Sequence, residues 1–164
     1  MDWKRFDQNP VTHSVAHHLV AIAELREQYG YARVSDVARS LEITRGSASL
    51  TLKGLKGKGL VTEDERRFLG LSGEGQAIAD IIRAKRRVMK ELLTELLGVE
   101  EAQANVDTCK IEHLVSDETA RRAMRLIVFL SSGHPSVEPF LVELNRFETF
   151  SDEELSSYAR KDRG

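Results

Sequence analysis

The segment CKIEH, residues 109–113, is the most specific group of chemically reactive side chains in this sequence. Cys109, Glu112 and His113 are spaced i, i+3 and i+4, so on a helix they share one face. A thiolate, a carboxylate and an imidazole that converge in this way suit a transition metal such as Fe(II), Co(II), Ni(II) or Zn(II). Because three donors from one helix leave the coordination open, a fourth ligand has to come from another element.

Two adjacent histidines on the predicted first helix, His17 and His18, are the best candidates for that fourth ligand. The alternative interpretation is a buried Cys109 thiol beside a surface ion pair, which the same residue types often form. Paired histidines such as His17 and His18 also occur on ordinary wet surfaces, and we expect His13 and His134 to lie in solvent or in loops.

Catalytic motifs are not evident in the sequence. The glycine-rich stretch GLKGKGL lacks the preceding strand that a phosphate-binding loop needs, and neither a nucleophile elbow nor an HExxH pair is present. Cys109 and His113, four residues apart on one helix, offer no oxyanion donors. We therefore predict that the protein is not an enzyme and has no small-molecule substrate.

The composition of the 164-residue chain is that of a folded protein with room for one substantial domain or two small ones. One cysteine cannot form an internal disulfide, which favours the reducing cytoplasm. No apolar run reaches the roughly 18 residues that a membrane span requires, and MDWKRFDQNP lacks the apolar core of a signal peptide. We expect a soluble, cytoplasmic protein without membrane contact.

A basic segment interrupts an otherwise weakly acidic chain, whose formal net charge is -2. Between Ile43 and Thr62 the sequence has no acidic residue, and its basic side chains are Arg45, Lys53, Lys56 and Lys58. Such a segment is either a surface that contacts phosphates or an ordinary solvated helix face.

Three helices are predicted before this basic segment ends. The first, from Val11 to Tyr29, has one apolar stripe and stops at Gly30; the stripe comprises Val15, Leu19, Ile22 and Leu25. Ser35 is the predicted N-cap of the second helix and Thr44 that of the third. Their expected inner faces are Val37, Ala38 and Leu41, then Ala48, Leu52 and Leu55.

The pair formed by the second and third helices has the pattern of a helix-turn-helix, in which small polar side chains let the second helix approach base edges. The stretches GLVT and FLGL then predict two strands around the turn EDERR, which together make a wing. The predicted DNA-contacting residues are Ser35, Thr44, Arg45, Ser47, Ser49, Thr51, Lys53, Lys56, Arg66 and Arg67.

A long helix is predicted to begin at Ser72 and end at Gly98, with a leucine-rich second half whose apolar surface favours a subunit contact. Further helices are expected from Glu100 to His113 and from about Ser116. The fold class is therefore mainly α. We predict a winged helix-turn-helix domain over residues 1–74 and an all-helical metal-binding and dimerisation domain, with a C-terminal extension, over 75–164.

Three stretches together resemble the diphtheria toxin repressor and manganese transport regulator family of metal-dependent transcriptional regulators. They are GYARVSDVARSLEITRGSASLTLKGLKGKGLV, LGLSGEGQAIA and ELLTELLGVEEAQANVDTCKIEHLVSDE. The resemblance extends from about Val15 to Leu130. It implies a homodimer that binds a palindromic double-stranded DNA operator when loaded with Fe(II) or Mn(II), usually repressing metal-uptake genes.

The resemblance places the metal ligands on His17, Cys109, Glu112 and His113, where His17 replaces a methionine or an aspartate of the family. A histidine of the family falls on Arg86 or Arg87, and its following carboxylate on Lys90 or Glu91, which argues against a second metal site. Thiolate and imidazole are softer donors than those that suit manganese, so iron, zinc, cobalt or nickel fits better.

Two other functions agree with parts of the sequence. One is a winged-helix regulator that does not sense metal and uses Cys109 structurally or as a redox switch. The other is a helical protein-interaction module without DNA affinity. DNA binding and its response to metal distinguish these alternatives from the metal-dependent repressor.

Overall fold

The computed structural model describes residues 11–147 and 150–158. Eight α-helices and a two-stranded sheet are present in these residues. The helices are α1 His13–Tyr29, α2 Val34–Ser40, α3 Arg45–Gly57, α4 Gly73–Glu91, α5 Glu101–Ile111, α6 Asp117–Leu130, α7 Val137–Leu144 and α8 Asp152–Tyr158; the strands are β1 Val61–Glu63 and β2 Leu69–Leu71. The mainly α fold class is confirmed. The interpretation of the first ten residues lies outside the described residues.

Two compact units make up the chain, one ending at Met124 and the other beginning at Arg125. The first unit contains α1 to α5 and the sheet, and the second contains α7 and α8. The functional division predicted near residue 74 stays a prediction. No helix of the described residues is both long and apolar enough to cross a membrane.

Helix α1 is the centre of the first unit. It contacts α2, α3, α4 and β2, and it buries Leu19 and Ile22 of the predicted stripe completely. Val15 and Leu25 are half-buried at the edge of the core. Small side chains beside the stripe are also buried, including Ala16 and Ala21, because neighbours cover α1 on more than one side.

The helix-turn-helix forms as predicted, with one difference at its start. Thr44 Oγ1 accepts a hydrogen bond from the Ser47 backbone N–H at 3.1 Å and caps α3. Ser35, in contrast, lies inside α2, so its predicted role as N-cap is wrong. Arg33 holds that position with an extended backbone, and its N–H donates to Asp36 Oδ2 at 3.1 Å. An acid three residues along serves the first turn as well as a serine cap would.

The wing pairs β1 with β2 antiparallel, Val61 opposite Leu71 and Glu63 opposite Leu69. Its turn places Arg67 in the left-handed region, with φ 64°. Leu69 N–H donates to the Ala32 carbonyl at 2.8 Å, which joins the wing to the segment before α2.

The long helix begins as predicted, because Ser72 Oγ accepts from the Gly75 N–H at 3.1 Å. Its last part, Leu92–Leu96, is a π-helical turn, and Gly98 has φ 64°. The next helix, predicted to reach His113, ends at Ile111.

Gly75 is required where α4 meets the wing. A Cβ built on Gly75 lies 2.1 Å from the carbonyl oxygen of Leu60, whereas a Cβ on Gly73 meets nothing within 4 Å. We expect Gly75→Ala to destabilise the protein by about 1–3 kcal/mol, since this backbone atom cannot move aside cheaply. Gly73→Ala, the matched control two residues earlier, should change the free energy of unfolding by less than about 1 kcal/mol. Urea denaturation measures both values, and equal effects would contradict the explanation.

Candidate metal centre and nucleic-acid interface

Two of the predicted metal ligands meet although 92 residues separate them. His17 on α1 and Cys109 on α5 approach to 3.4 Å between Nε2 and Sγ. His18 does not take part, because it is buried and its Nδ1–H donates to the Ser14 carbonyl at 2.7 Å. Of the two adjacent histidines, His17 is therefore the one whose ring lies beside Cys109.

His13 also belongs to this cluster; it is exposed, as predicted, and it lies at the start of α1 rather than in a loop. It lies one helical turn before His17 on α1, and the two ring centroids are 4.2 Å apart. Ligand atoms of His13, His17 and Cys109 all lie within 4.8 Å of one another, the one such group found in residues 11–147 and 150–158. The i, i+4 spacing of the two histidines was a signal in the sequence that could have found His13.

The other two predicted ligands occupy different surroundings. The Glu112 side chain is fully buried, and Arg86 Nε and Nη2 donate to its two oxygens at 2.6 and 2.9 Å. Glu112 Oε1 is 3.7 Å from His17 Nε2. His113 packs its ring against His13, with centroids 4.9 Å apart in an edge-on arrangement.

Arg86, rather than Arg87, is the cation that enters the centre. Its Nη1 also lies 3.8 Å from Glu24 on α1, so one guanidinium contacts acids from two other parts of the fold. Arg87 instead pairs with Glu91 one turn along the exposed face of α4. Arg86 thus neutralises a buried acid beside the histidine–cysteine cluster.

Burial sets the protonation of the imidazoles in this centre. Desolvation lowers the pKa of His17, and the nearby His13 lowers it further, while Glu112 acts in the opposite direction. Desolvation also lowers the pKa of His113. Hydrogen bonding to Glu112 raises the pKa of Arg86. His17 and His113 are therefore neutral at neutral pH, which leaves a nitrogen lone pair of each available for a metal ion.

An open cavity of about 440 Å³ reaches the centre, and His17, Cys109 and Arg86 contribute to its lining. It gives an ion in solvent a route to the thiolate and the imidazole. Entry of this kind is one requirement of a usable metal site.

Nine of the ten predicted DNA-contacting side chains are exposed, on α2, on α3 with its N-cap, and on the wing. Those exposed are Ser35, Thr44, Arg45, Ser47, Ser49, Lys53, Lys56, Arg66 and Arg67, and Thr51 is half-buried. Arg45 and Ser49 of α3 line an open groove of about 420 Å³ together with Ser35 and Arg67.

Two residues of this surface were missed from the sequence. Arg33 lines the same groove, and its guanidinium carbon lies 4.9 Å from the centroid of the Phe68 ring. Leu50 is 74% exposed in the middle of α3, where an apolar side chain can contact the methyl group of thymine. An unpaired apolar residue on an otherwise polar helix face was the signal for Leu50.

One acid moderates the charge of the groove. Glu63 on β1 forms ion pairs with Lys56 and with Arg67, the latter at 3.5 Å. The hydrogen bond from Lys56 lowers the pKa of Glu63, which stays ionised. Arg33 and Arg45 are therefore the cations on which we expect phosphate attraction to depend most.

Comparison with known proteins agrees with this arrangement. Residues 72–144 match the family model described as "Iron dependent repressor, metal binding and dimerisation domain". The diphtheria toxin repressor of Corynebacterium efficiens is 30% identical over 110 residues, which are 67% of this chain and 48% of that protein. The chain belongs to the diphtheria toxin repressor and manganese transport regulator family.

Further relatives extend the likeness within this family. The iron-dependent repressor IdeR of Mycobacterium leprae is 24% identical over 132 residues, covering 80% of this chain and 55% of the relative. The crystal structure of T. acidophilum IdeR superposes with a TM-score of 0.60 at 26% identity, over 67% of this chain and 52% of that one. The chain thus spans only about half the length of these family members.

The Arg86–Glu112 pair should make a measurable contribution to stability. Arg86→Met leaves a buried carboxylate without its partner, and we expect a loss of about 3 kcal/mol in the free energy of unfolding. The double variant Arg86→Met/Glu112→Gln should recover most of this loss, because it removes both charges.

Arg87→Met is the matched control, since the Arg87 pair is exposed and should contribute less than about 1 kcal/mol. Denaturant unfolding of the unaltered protein, of the single variants Arg86→Met and Glu112→Gln and of the double variant gives the coupling energy of the pair. A double variant no more stable than Arg86→Met would show that the ion pair is not what stabilises this region.

Proposed function

We propose that this protein is a metal-dependent transcriptional repressor, which binds a palindromic operator as a homodimer when loaded with a divalent transition metal. The observation that carries this proposal is the meeting of His17 and Cys109, which joins the helix at the centre of the DNA-binding half to the family's metal-binding domain. Relatives named as iron-dependent repressors support the same role.

The donor set fits a metal of this class. Two neutral imidazoles and a thiol within 4.8 Å form a compact, open group, and such donors suit Fe(II), Co(II), Ni(II) and Zn(II) better than Mn(II). Glu112 and His113 stay predicted members of the centre. We propose that the protein binds DNA and a metal ion and does not catalyse a reaction. We also propose that it acts in the cytoplasm, as the sequence predicts.

The mechanism that we propose is thermodynamic linkage. A metal bound between α1 and α5 would restrict the position of α1, and α1 packs against the recognition helix α3. In a dimer this would fix the separation of two recognition helices, which has to match the spacing of operator half-sites. If the metal binds the DNA-competent arrangement about 100-fold more tightly than it binds the other arrangement, metal can raise operator affinity by at most about 100-fold.

Dimerisation is supported by apolar side chains left exposed within residues 72–144. Leu97 is 60% and Val106 49% exposed in the first unit, and Val128 is 57% and Phe140 47% exposed in the second. Large apolar side chains in solvent are typical of surfaces that a partner covers.

Operator binding should depend on metal through His17 and Cys109. We expect Fe(II) or Co(II) to tighten binding to a palindromic operator of a family member by about tenfold or more. This factor lies within the range of coupling energies known for allosteric proteins. His17→Ala and Cys109→Ser should remove this gain and leave the metal-free affinity unchanged. Fluorescence anisotropy under anaerobic, reducing conditions measures the affinities with metal and with chelator.

His134→Ala is the control, since this exposed histidine lies far along the chain from both ligands. Equal affinity of the unaltered protein with metal and with chelator, together with no heat of metal binding, would remove metal sensing. If oxidation, but not metal, changes the operator affinity, and Cys109→Ser abolishes that change, the redox regulator would be favoured.

Phosphate contacts from the groove should appear as a salt effect. Arg45→Ala should weaken binding to all DNA sequences similarly and reduce the slope of log affinity against log salt by about 0.9, the value for one lost phosphate contact. Arg122→Ala serves as control, because Arg122 is exposed and paired with Glu118 on α6.

Titrations at several salt concentrations give both slopes. If Arg45→Ala and Arg122→Ala have identical slopes, Arg45 does not contact phosphate. If the unaltered protein has no DNA affinity at any salt, the protein-interaction module replaces the repressor.

A further inference from the structure

We propose that the metal is held by His13, His17 and Cys109, and that Glu112 is kept out of its coordination sphere by Arg86. This inference rests on the proposed function and specifies its metal site. It differs from the ligand set that the resemblance implies, because it adds His13 and replaces Glu112 and His113.

The geometry of α1 provides the first step. His13 and His17 are one helical turn apart, and their rings lie 4.2 Å from centroid to centroid on the face that meets α5. The Cys109 sulfur is 3.4 Å from His17 Nε2. Since the ligand atoms of all three residues lie within 4.8 Å of one another, small side-chain rotations bring them to bonding distance of one ion.

The surroundings of Glu112 provide the second step. Both carboxylate oxygens accept hydrogen bonds from Arg86, at 2.6 and 2.9 Å, and the Glu112 side chain has no exposed surface. Metal coordination by Glu112 would compete with Arg86 for the same two oxygens and would place a second cation beside a guanidinium. Repulsion between the two cations disfavours that arrangement.

The charge balance follows from these two steps. Arg86 offsets the charge of Glu112, so among the three proposed ligands the negative charge comes from Cys109, which binds a metal as a thiolate. Two neutral imidazoles and one thiolate form a soft set with an open position for water or another ligand. His113, whose ring meets the His13 ring edge-on at 4.9 Å, is then a positioning residue that orients the His13 ring. We expect Co(II) and Zn(II) to bind far more tightly than Mn(II).

Co(II) binding to the full chain tests the ligand set. Absorption spectroscopy follows the sulfur-to-cobalt charge-transfer band, and calorimetry gives the affinity. Loss of an outer-shell partner costs about 10–100-fold in metal affinity, so loss of a direct ligand should cost about 100-fold or more. We therefore expect His13→Ala to weaken Co(II) binding by at least about 100-fold, with the charge-transfer band retained at saturation, and His134→Ala to have no effect.

The double variant Arg86→Met/Glu112→Gln tests the other half. It keeps the net charge of the pair at zero, so Co(II) affinity should stay within about tenfold of the unaltered protein. X-ray absorption spectroscopy of the cobalt-loaded protein gives a second measurement, which does not depend on whether the double variant folds. It should show one sulfur and two imidazoles in the unaltered protein, and one imidazole in His13→Ala.

Three results would overturn the proposal while the proposed function stands. They are unchanged Co(II) affinity in His13→Ala, two imidazoles still bound to cobalt in that variant, and loss of binding in a folded double variant. Absence of Co(II) binding by the unaltered protein would overturn both the ligand set and metal sensing. Mn(II) binding as tight as Co(II) binding would contradict the soft donor set.

Discussion

The packing of α1 in the middle of the first unit is the constraint on which the other features depend. One face of this helix supplies Leu19 and Ile22 to the core that it shares with the DNA-reading helices. Its first turns carry His13 and His17 to Cys109, and Glu24 faces Arg86. The same helix therefore contacts the helix-turn-helix and carries two members of the histidine–cysteine cluster, so the proposed DNA-binding and metal-binding regions share one element. A change at one end of α1 has a direct mechanical route to the other.

The electrostatics of the centre follow from one buried acid. Glu112 has no contact with solvent, and an isolated carboxylate in such a place would be very unfavourable. The sequence of α4 resolves this with a guanidinium, which satisfies both oxygens in a fork geometry that a lysine could not reproduce. Arg86 thus connects α4, the end of α5 and α1 without a metal ion. These ion pairs therefore hold α4, the end of α5 and α1 together without bound metal.

The DNA surface balances charge in a similar way. Glu63 holds Lys56 and Arg67 on the wing side of the groove, while Arg33 and Arg45 lie along its helical side. Pairing on the wing lowers the attraction for arbitrary phosphates, which agrees with a chain whose net charge is slightly negative. The exposed side chains of α3 include small polar ones and the larger, apolar Leu50, and we expect them to contact base edges closely.

Local patterns did not predict α7 and α8, but they were sufficient to predict α1 to α6, the caps at Thr44 and Ser72, and the wing, because periodicity and capping act over a few residues along the chain. They also identified Cys109, Glu112 and His113 as neighbours on one face, and the resemblance to the family singled out His17. Which of these groups face one another was fixed only by the packing of α1, α4 and α5. That packing places the exposed His13 beside His17 and Cys109, puts Arg86 rather than Arg87 next to Glu112, and places Arg33 in the groove. The reason is that contacts between residues far apart in sequence depend on how whole helices pack, and no local spacing encodes that.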